Sequence, residues 1–198
     1  MLEIGCGTGN VSSFLSEKGY KATGYEYFPR AFEIAYGNFT KVRGDAFLLP
    51  FKKGSFNIVG LFDVIEHSDD NKALLIEAGR VMSPGGIIAI TVPAKEELWS
   101  YLDVKAHHKR RYTKEMLKQV FSEAGLTPLL LEYMFASLYL PMKYLRRKNK
   151  KSGNQFKINR YVNTLLTGLF DAERLISKSL SLPVGTSIIA VARKKTAS

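Results

Sequence analysis

The sequence predicts an α/β fold, a mostly parallel sheet with helices on both faces. Two observations carry this. Short apolar runs alternate with helix-length amphipathic segments from residue 1 to about 134. The first run, Leu2-Glu3-Ile4, stops at a turn with glycine at every second position, Gly5, Gly7 and Gly9, and a helix follows. In such a turn bare backbone can meet a ligand's polar atoms, since no Cβ intrudes and φ can turn positive.

The elements follow in order. Val11 to Lys18 reads as the first helix, and Ala22-Thr23-Gly24-Tyr25-Glu26 as strand two. Pro29 opens a helix through about Tyr36, because its fixed φ suits a first helical turn. Lys41 to Gly44 is a short third strand, and Phe56 to Phe62 the fourth. Asp69 and Asp70 start a helix that Ala73, Leu74, Ile76, Glu77 and Val81 carry to about Met82. Ser83-Pro84-Gly85-Gly86 reads as a turn before strand five, Ile87 to Val92. Thr113 caps a helix that ends at Gly125, and Thr127 to Tyr133 is strand six. Phe135 to about Lys151 reads as a helix broken at Pro141, followed by a polar joint, Ser152 to Gln155. Tyr161, Leu165, Leu166, Leu169, Phe170, Leu175, Ile176 and Leu180 recur at helical spacing. A turn at Pro183-Val184-Gly185 leads to a last strand, Thr186 to Ala192. The chain of 198 residues is expected to form one domain, with residues 135–184 as a basic helical insert before the last strand.

Charge divides the chain. Residues 1–140 hold 16 Lys+Arg against 16 Asp+Glu, and residues 141–198 hold 13 against 2, so the whole net charge of +11 belongs to the last 58 residues. Such a block points to an acidic partner or a solvated basic face. The single cysteine, Cys6, excludes an internal disulfide and suits a reducing cytoplasm. With no histidine near it in sequence, Cys6 reads as a packing residue. The chain opens without a basic and apolar leader. Leu126 to Leu145, the most apolar stretch, carries Pro128, Glu132, Pro141 and Lys143, which argues against a spanning helix.

The glycine spacing is two and two, GxGxG, not the two and three of the pyrophosphate fingerprint. Glu3 stands two residues ahead, where a carboxylate repels a pyrophosphate and attracts an ammonium or sulfonium. Leu2-Glu3-Ile4-Gly5-Cys6-Gly7-Thr8-Gly9-Asn10 resembles the first motif of the class I S-adenosylmethionine (SAM)-dependent methyltransferases. The resemblance implies a Rossmann-like, seven-stranded sheet with a final antiparallel strand, and SAM as cofactor with S-adenosylhomocysteine (SAH) as product. Glu26 lies 21 positions after Gly5, the distance at which an acidic residue accepts from ribose hydroxyls; otherwise it is an exposed strand-end carboxylate. Tyr27 adjoins it. Asp45, after Gly44, resembles the family's acidic residue beside the adenine amino group, with Ala46 and Phe47 as an apolar wall. Backbone groups at Leu61 and Phe62 would face the methionine half. The family carries a few tens of residues ahead of this motif, including a helix over the cofactor. Here Met1 abuts the motif, which implies a truncated chain, a misassigned start or a lost lid.

Phe62-Asp63-Val64-Ile65-Glu66-His67 resembles the D-V-x-E-H segment of the branch that includes ubiquinone-biosynthesis O-methyltransferases. His67 is a candidate general base, or a histidine that only bonds Glu66 or the backbone. Leu98-Trp99-Ser100 through Thr113 resembles the L-W-S-x-x-D-x-x-x-x-H-x-R-R-Y-T stretch of a bacterial and archaeal methyltransferase subgroup with surface-polysaccharide and lipid-linked glycan functions. On that match Trp99, Asp103, His108, Arg110, Arg111 and Tyr112 are acceptor-side candidates. The bland alternative is a basic loop into a capped helix, with Trp99 and Tyr112 as core anchors. Glu66, His67, His108 and Asp103 are the candidate catalytic groups, and no metal site is expected.

The expected activity is methyl transfer to a small-molecule, glycan or lipid-linked acceptor at oxygen. The basic residues of 143–160 lie near Leu138, Leu140, Met142 and Tyr144, which suits an anionic membrane surface. A cytoplasmic enzyme, peripheral to the inner face of the membrane, is therefore expected. The rivals are an RNA methyltransferase, a non-catalytic SAM-binding protein and an NAD-dependent oxidoreductase, which the glycine spacing and Glu3 disfavour.

Overall fold

The computed structural model describes residues 1–148, 160–177 and 180–195. Seven strands form one sheet: β1 (Leu2–Ile4), β2 (Thr23–Glu26), β3 (Thr40–Arg43), β4 (Phe56–Phe62), β5 (Met82–Pro93), β6 (Leu126–Met134) and β7 (Ser187–Lys194). Their spatial order is β3-β2-β1-β4-β5-β7-β6. The first five run parallel, and β7 lies antiparallel between β5 and β6. This is the expected Rossmann-like, seven-stranded architecture. The order reverses between β1 and β4, so their carboxyl ends flank the crevice in which open α/β sheets bind ligands.

The sheet centre is apolar for a physical reason. Parallel strands are covered on both faces, so they read as continuous hydrophobic runs. Leu2, Ile4, Val59, Leu61, Ile88, Ile90, Ile188 and Ala190 are fully buried, and each such large side chain contributes about 1.5–3 kcal/mol. The register also makes room for one charge. Glu3 pairs with Gly24 on one side and Gly60 on the other, so no neighbouring Cβ crowds it.

The helices are α1 (Asn10–Glu17), α2 (Pro29–Glu33), α3 (Asn71–Val81), α4 (Tyr101–Lys105), α5 (Lys114–Glu123), α6 (Ala136–Lys148) and α7 (Arg160–Ser177). Their starts follow the capping residues. Asp70 accepts from the Ala73 amide at 2.8 Å, and Thr113 accepts from the Met116 amide at 3.2 Å. Leu74, Leu75 and Ala78 of α3 and Leu117 and Phe121 of α5 join the core.

Three local expectations are corrected. Ser83 to Gly86 is not a separate turn: β5 begins at Met82, and a bulge between Phe56 and Ile58 absorbs the irregular residues, with Gly85 at φ 71°. Residues 97–113 are not only loop. The capping box of Ser100 and Asp103 nucleates α4. And α6 runs through Pro141 instead of breaking there. Contacts from outside hold it: Glu173 of α7 accepts from the Ala136 and Ser137 amides at 2.8 and 3.0 Å. Tyr139 donates to Glu97 at 2.7 Å. The joint expected at Ser152 to Gln155 lies outside the described residues.

Candidate active site

The glycine turn is built as its spacing demands. Gly5, Gly7 and Gly9 all have positive φ, of 70°, 50° and 85°. A Cβ on Gly5 would stand 2.5 Å from Val64, and one on Gly9 would stand 2.4 Å from the Phe39 ring. A Cβ on Gly7 would meet no protein atom within 4 Å. Two glycines thus let protein pack against the turn, and the middle one leaves an open face.

Glu26 ties the turn to β2. One oxygen accepts from the Gly7 amide at 2.9 Å, and the other from the Tyr27 and Phe28 amides at 2.8 and 3.0 Å. Glu3 sits beneath, 3% exposed, and accepts from the Ser12 hydroxyl. Burial raises its pKa, and the Ser12 bonds oppose the rise. Cys6 is buried, and burial together with Glu3 and Glu26 pushes its thiol up to about 12, which leaves no nucleophile. Asp45 is exposed and accepts from the Phe47 amide at 2.9 Å, with Ala46 half-buried beside it.

Beyond Gly5, Val64 leads into a 3-10 turn, Ile65–His67. Asp63, with φ 53°, bonds Thr91 through its amide and its side chain. Glu66 is 0% exposed, and no other residue hydrogen-bonds either carboxylate oxygen. Burial pushes it up to about 8; Asp63 and Asp103 add to the rise, while a backbone hydrogen bond and Arg111 oppose it. The His67 and His108 rings meet edge to face, 4.8 Å between centroids. Burial and the His108 charge lower the His67 pKa.

Residues 97–112 close this side. Asp103 is the hub. Its carboxylate takes the Ser100 amide at 2.8 Å, His108 Nδ1 at 3.1 Å and Arg111 Nη2 at 2.7 Å, with Arg146 Nη1 at 3.4 Å. Burial works to raise its pKa, but the Arg111 charge and the hydrogen bonds from Arg111, His108 and Ser100 hold it below the ordinary value. The Lys109 amide donates to the Glu66 carbonyl at 2.7 Å, which ties the two segments together. His108 Nε2 then lies 4.0 Å from Glu66 Oε1.

The model of a methyltransferase domain matches residues 1–131. The chain belongs to this family. These are the class I SAM-dependent methyltransferases. The chain is 29% identical over 140 residues to norajmaline N-methyltransferase of Rauvolfia serpentina, covering 65% of this chain and 46% of that protein. It is 24% identical over 150 residues to malonyl-[acyl-carrier protein] O-methyltransferase of Enterobacter lignolyticus, covering 71% and 58%. It spans about half the length of the curated relatives it matches. A SAM-dependent methyltransferase structure from Archaeoglobus fulgidus superposes with a TM-score of 0.66 at 19% identity, covering 98% of this chain and 85% of that one.

The turn fits the family's cofactor. Its open face at Gly7, the carboxylate of Glu26 and the exposed Asp45 offer backbone and acidic acceptors to a nucleoside that also carries cationic groups. Tyr27 is exposed at the same strand end, and Phe62 is half-buried at the end of β4. Leu61 offers only its backbone, since its side chain is core.

Several acceptor-side expectations are corrected. Tyr112 is 0% exposed; its hydroxyl donates to the Ile65 carbonyl at 3.2 Å and accepts from Asn71 at 2.6 Å, so it is a core anchor. Arg111 is buried on Asp103 and the Ala94 carbonyl, so it holds the segment rather than an acceptor. Asp103 is buried with its carboxylate taken up by Ser100, His108, Arg111 and Arg146, so it orients the His108 ring. Glu3 lies buried beneath the turn on the Ser12 hydroxyl. Trp99 and Arg110 remain half-buried, with Arg110 Nη2 3.4 Å from the Ser68 carbonyl. Two residues escaped the sequence reading. Asp63 was named only as part of the D-V-x-E-H segment and given no role. Arg146 looked like part of a solvated basic run, and it turns inward to Asp103 and the Leu98 carbonyl.

Proposed function

We propose that the protein transfers a methyl group from SAM to a hydroxyl acceptor on a small or lipid-linked molecule. The observation that supports this is the pairing of Gly5 with Val64. It brings the Glu66–His67–His108 group to the edge of the glycine turn. SAM, when bound, supplies an electrophilic methyl on a sulfonium. The chain's own work is then alignment, exclusion of water and removal of one proton. Asp103 holds Nδ1 of His108 as a donor, which leaves Nε2 as the proton acceptor. Exposed His67 has access to the same opening.

The curated relatives include an N- and an O-methyltransferase by name. Oxygen is favoured because a hydroxyl needs a base and this site holds imidazoles. Calorimetry with SAH is expected to show micromolar binding, and no binding at millimolar ligand would sink the enzyme reading. Labelled SAM with matched phenol, alcohol and amine acceptors tests the atom. Methylation of amines alone would rule out oxygen.

The lipid-linked acceptor is favoured by the surface of α6 and α7. Leu140, Tyr144, Leu165, Leu169 and Leu175 are exposed there, beside the basic excess of residues 141–198. Lys143 faces Glu97, at 3.8 Å, and Arg146 is internal, so the membrane charge must come from the rest of that segment. Residues 149–159 of it lie outside the described residues. No helix among the described residues is long and apolar enough to cross a membrane. Sedimentation with phosphatidylglycerol but not phosphatidylcholine vesicles is the expected result. Retention on RNA without vesicle binding would favour the RNA rival.

A further inference from the structure

The foot of the sheet, at the end opposite the glycine turn, gathers positive charge. There β7 runs out through Arg193 and Lys194 into Lys195, beside the amino ends of β5 and β6. With Gly85, Thr127 and Leu129, these three cations line a groove of about 490 Å³. We propose that this groove is a binding site for a phosphate-bearing anion.

Three features support it. First, the charge is uncompensated. Among the described residues, Lys53, Arg193, Lys194 and Lys195 form no ion pair, whereas nearby Arg80 is held by Glu77 at 2.8 Å. Second, Lys194 is fixed in place. It is half-buried, and its Nζ donates to the Met82 carbonyl at 2.7 Å. Burial and the charges of Lys53 and Arg80 lower its pKa. A cation taken partly out of water among other cations is unfavourable, and a bound anion relieves both costs. Third, the backbone shapes the groove. A bulge between Pro128 and Leu130 leaves Leu129 outside the β6–β7 register, and Gly85 has φ 71°. Thr127 stands directly opposite Arg193, so hydroxyl and guanidinium share one face.

The donor set selects the ligand class. A guanidinium fork, two ammonium groups and a hydroxyl match the oxygens of a phosphate. A phosphate group carries about two negative charges at neutral pH, where a carboxylate carries one, so it answers three cations better. No carboxylate lines the groove to admit a metal ion or an amine. The site is distinct from the crevice. Ile87 and Pro93, the β5 partners of Arg193 and Ser187, are about 20 Å apart at about 3.3 Å per residue, and the crevice is at the Pro93 end. The inference therefore does not depend on the methyltransferase reading.

The test is calorimetric titration of the full-length protein with inorganic pyrophosphate at physiological salt, with and without saturating SAH. One saturable site per chain is expected under both conditions. Arg193→Gln and Lys195→Gln change exposed side chains away from the core, and each should weaken pyrophosphate at least about fivefold. Thr127→Glu sets a carboxylate opposite Arg193, and should abolish binding with Tm held at or above that of the wild type. Lys72→Gln, exposed on α3 at the other end of the sheet, should change affinity less than about twofold. No saturable heat overturns the proposal. So does an equal loss in Lys72→Gln and Arg193→Gln, which would mark a diffuse basic surface. So does an RNA oligonucleotide that binds through Arg193 where pyrophosphate does not saturate. Phosphatidylglycerol vesicles separate two sources of the phosphate. Vesicle binding that Arg193→Gln loses and pyrophosphate displaces assigns the groove to a lipid headgroup. Vesicle binding indifferent to both assigns it to a soluble molecule. Pyrophosphate binding without SAH binding keeps the groove and sinks the methyltransferase reading, and SAH binding without pyrophosphate does the reverse.

Discussion

The two halves of the crevice are built from different materials. On the donor side, the turn Gly5 to Gly9 presents backbone, and its carboxylate Glu26 is satisfied by three amides, two of them from the next two residues. On the acceptor side, Asp103, His108 and Arg111 converge with Glu66 from about 40 residues away, and no other residue hydrogen-bonds either Glu66 carboxylate oxygen. The first is a local structure that the chain can form from its own turn chemistry. The second exists only once α4, α6 and the 3-10 turn have packed. The difference is the one between a local backbone turn and a cluster assembled by tertiary packing.

Mutations can break this contrast. The largest effect is expected from Asp103→Ala, which leaves Arg111 buried without its carboxylate and removes the α4 capping box. The cost should be about 3–5 kcal/mol in a urea titration. A loss below about 1 kcal/mol would mean that the acceptor side is no more interdependent than a surface ion pair.

Next come the glycines, which separate packing from ligand access. Gly5→Ala combines positive φ with a Cβ 2.5 Å from Val64, and should cost about 2–4 kcal/mol and disturb residues 64–67. Gly7→Ala meets no protein atom, so its folding cost should be only about 1–2 kcal/mol. Its SAH affinity should still fall about tenfold or more, because the open face is filled. Equal SAH affinity in Gly7→Ala and wild type would place the cofactor elsewhere.

The smallest effect is a pair of opposite pH slopes. The Asp103 pKa is held below its ordinary 3.8, so its contribution is present above that value and fades as pH falls through the folded value. The gap between wild type and Asp103→Asn should therefore narrow in acid. Glu3 is raised above its ordinary 4.5, so the folded state favours its protonated form and loses stability as pH rises from there. Glu3→Gln should gain on wild type over that rise. Parallel slopes in the two variants would erase the contrast between the halves.

The same contrast decides what was legible. Strand alternation, the capping residues Asp70 and Thr113 and the glycine turn were readable, since each acts within a few residues of itself. Arg111 was read as an acceptor contact, and Tyr112 as either an acceptor contact or a core anchor, of which the structure shows the anchor. Both carry polar tips, and nothing local says that Asp103 and Ile65 consume them. Pro141 was read as a break because local propensity opposes it, and the packing of α6 against Glu97 and Glu173 outweighs that. Arg146 in a basic run looked solvated, although one helix face carries it inward.

By itself, the sequence determined the α/β order and the glycine turn with its acidic residues, and the resemblance of that turn to a family motif implied the cofactor. The first two rest on interactions between near neighbours, or on a period that a few residues display. The tertiary structure alone decided which acidic and basic side chains satisfy each other and which stay unpaired. That depends on burial, and burial is set by every element at once. Glu66 is the clearest case: in the chain it is one carboxylate beside a histidine, and in the fold it is a buried group that no other residue hydrogen-bonds, facing two imidazoles.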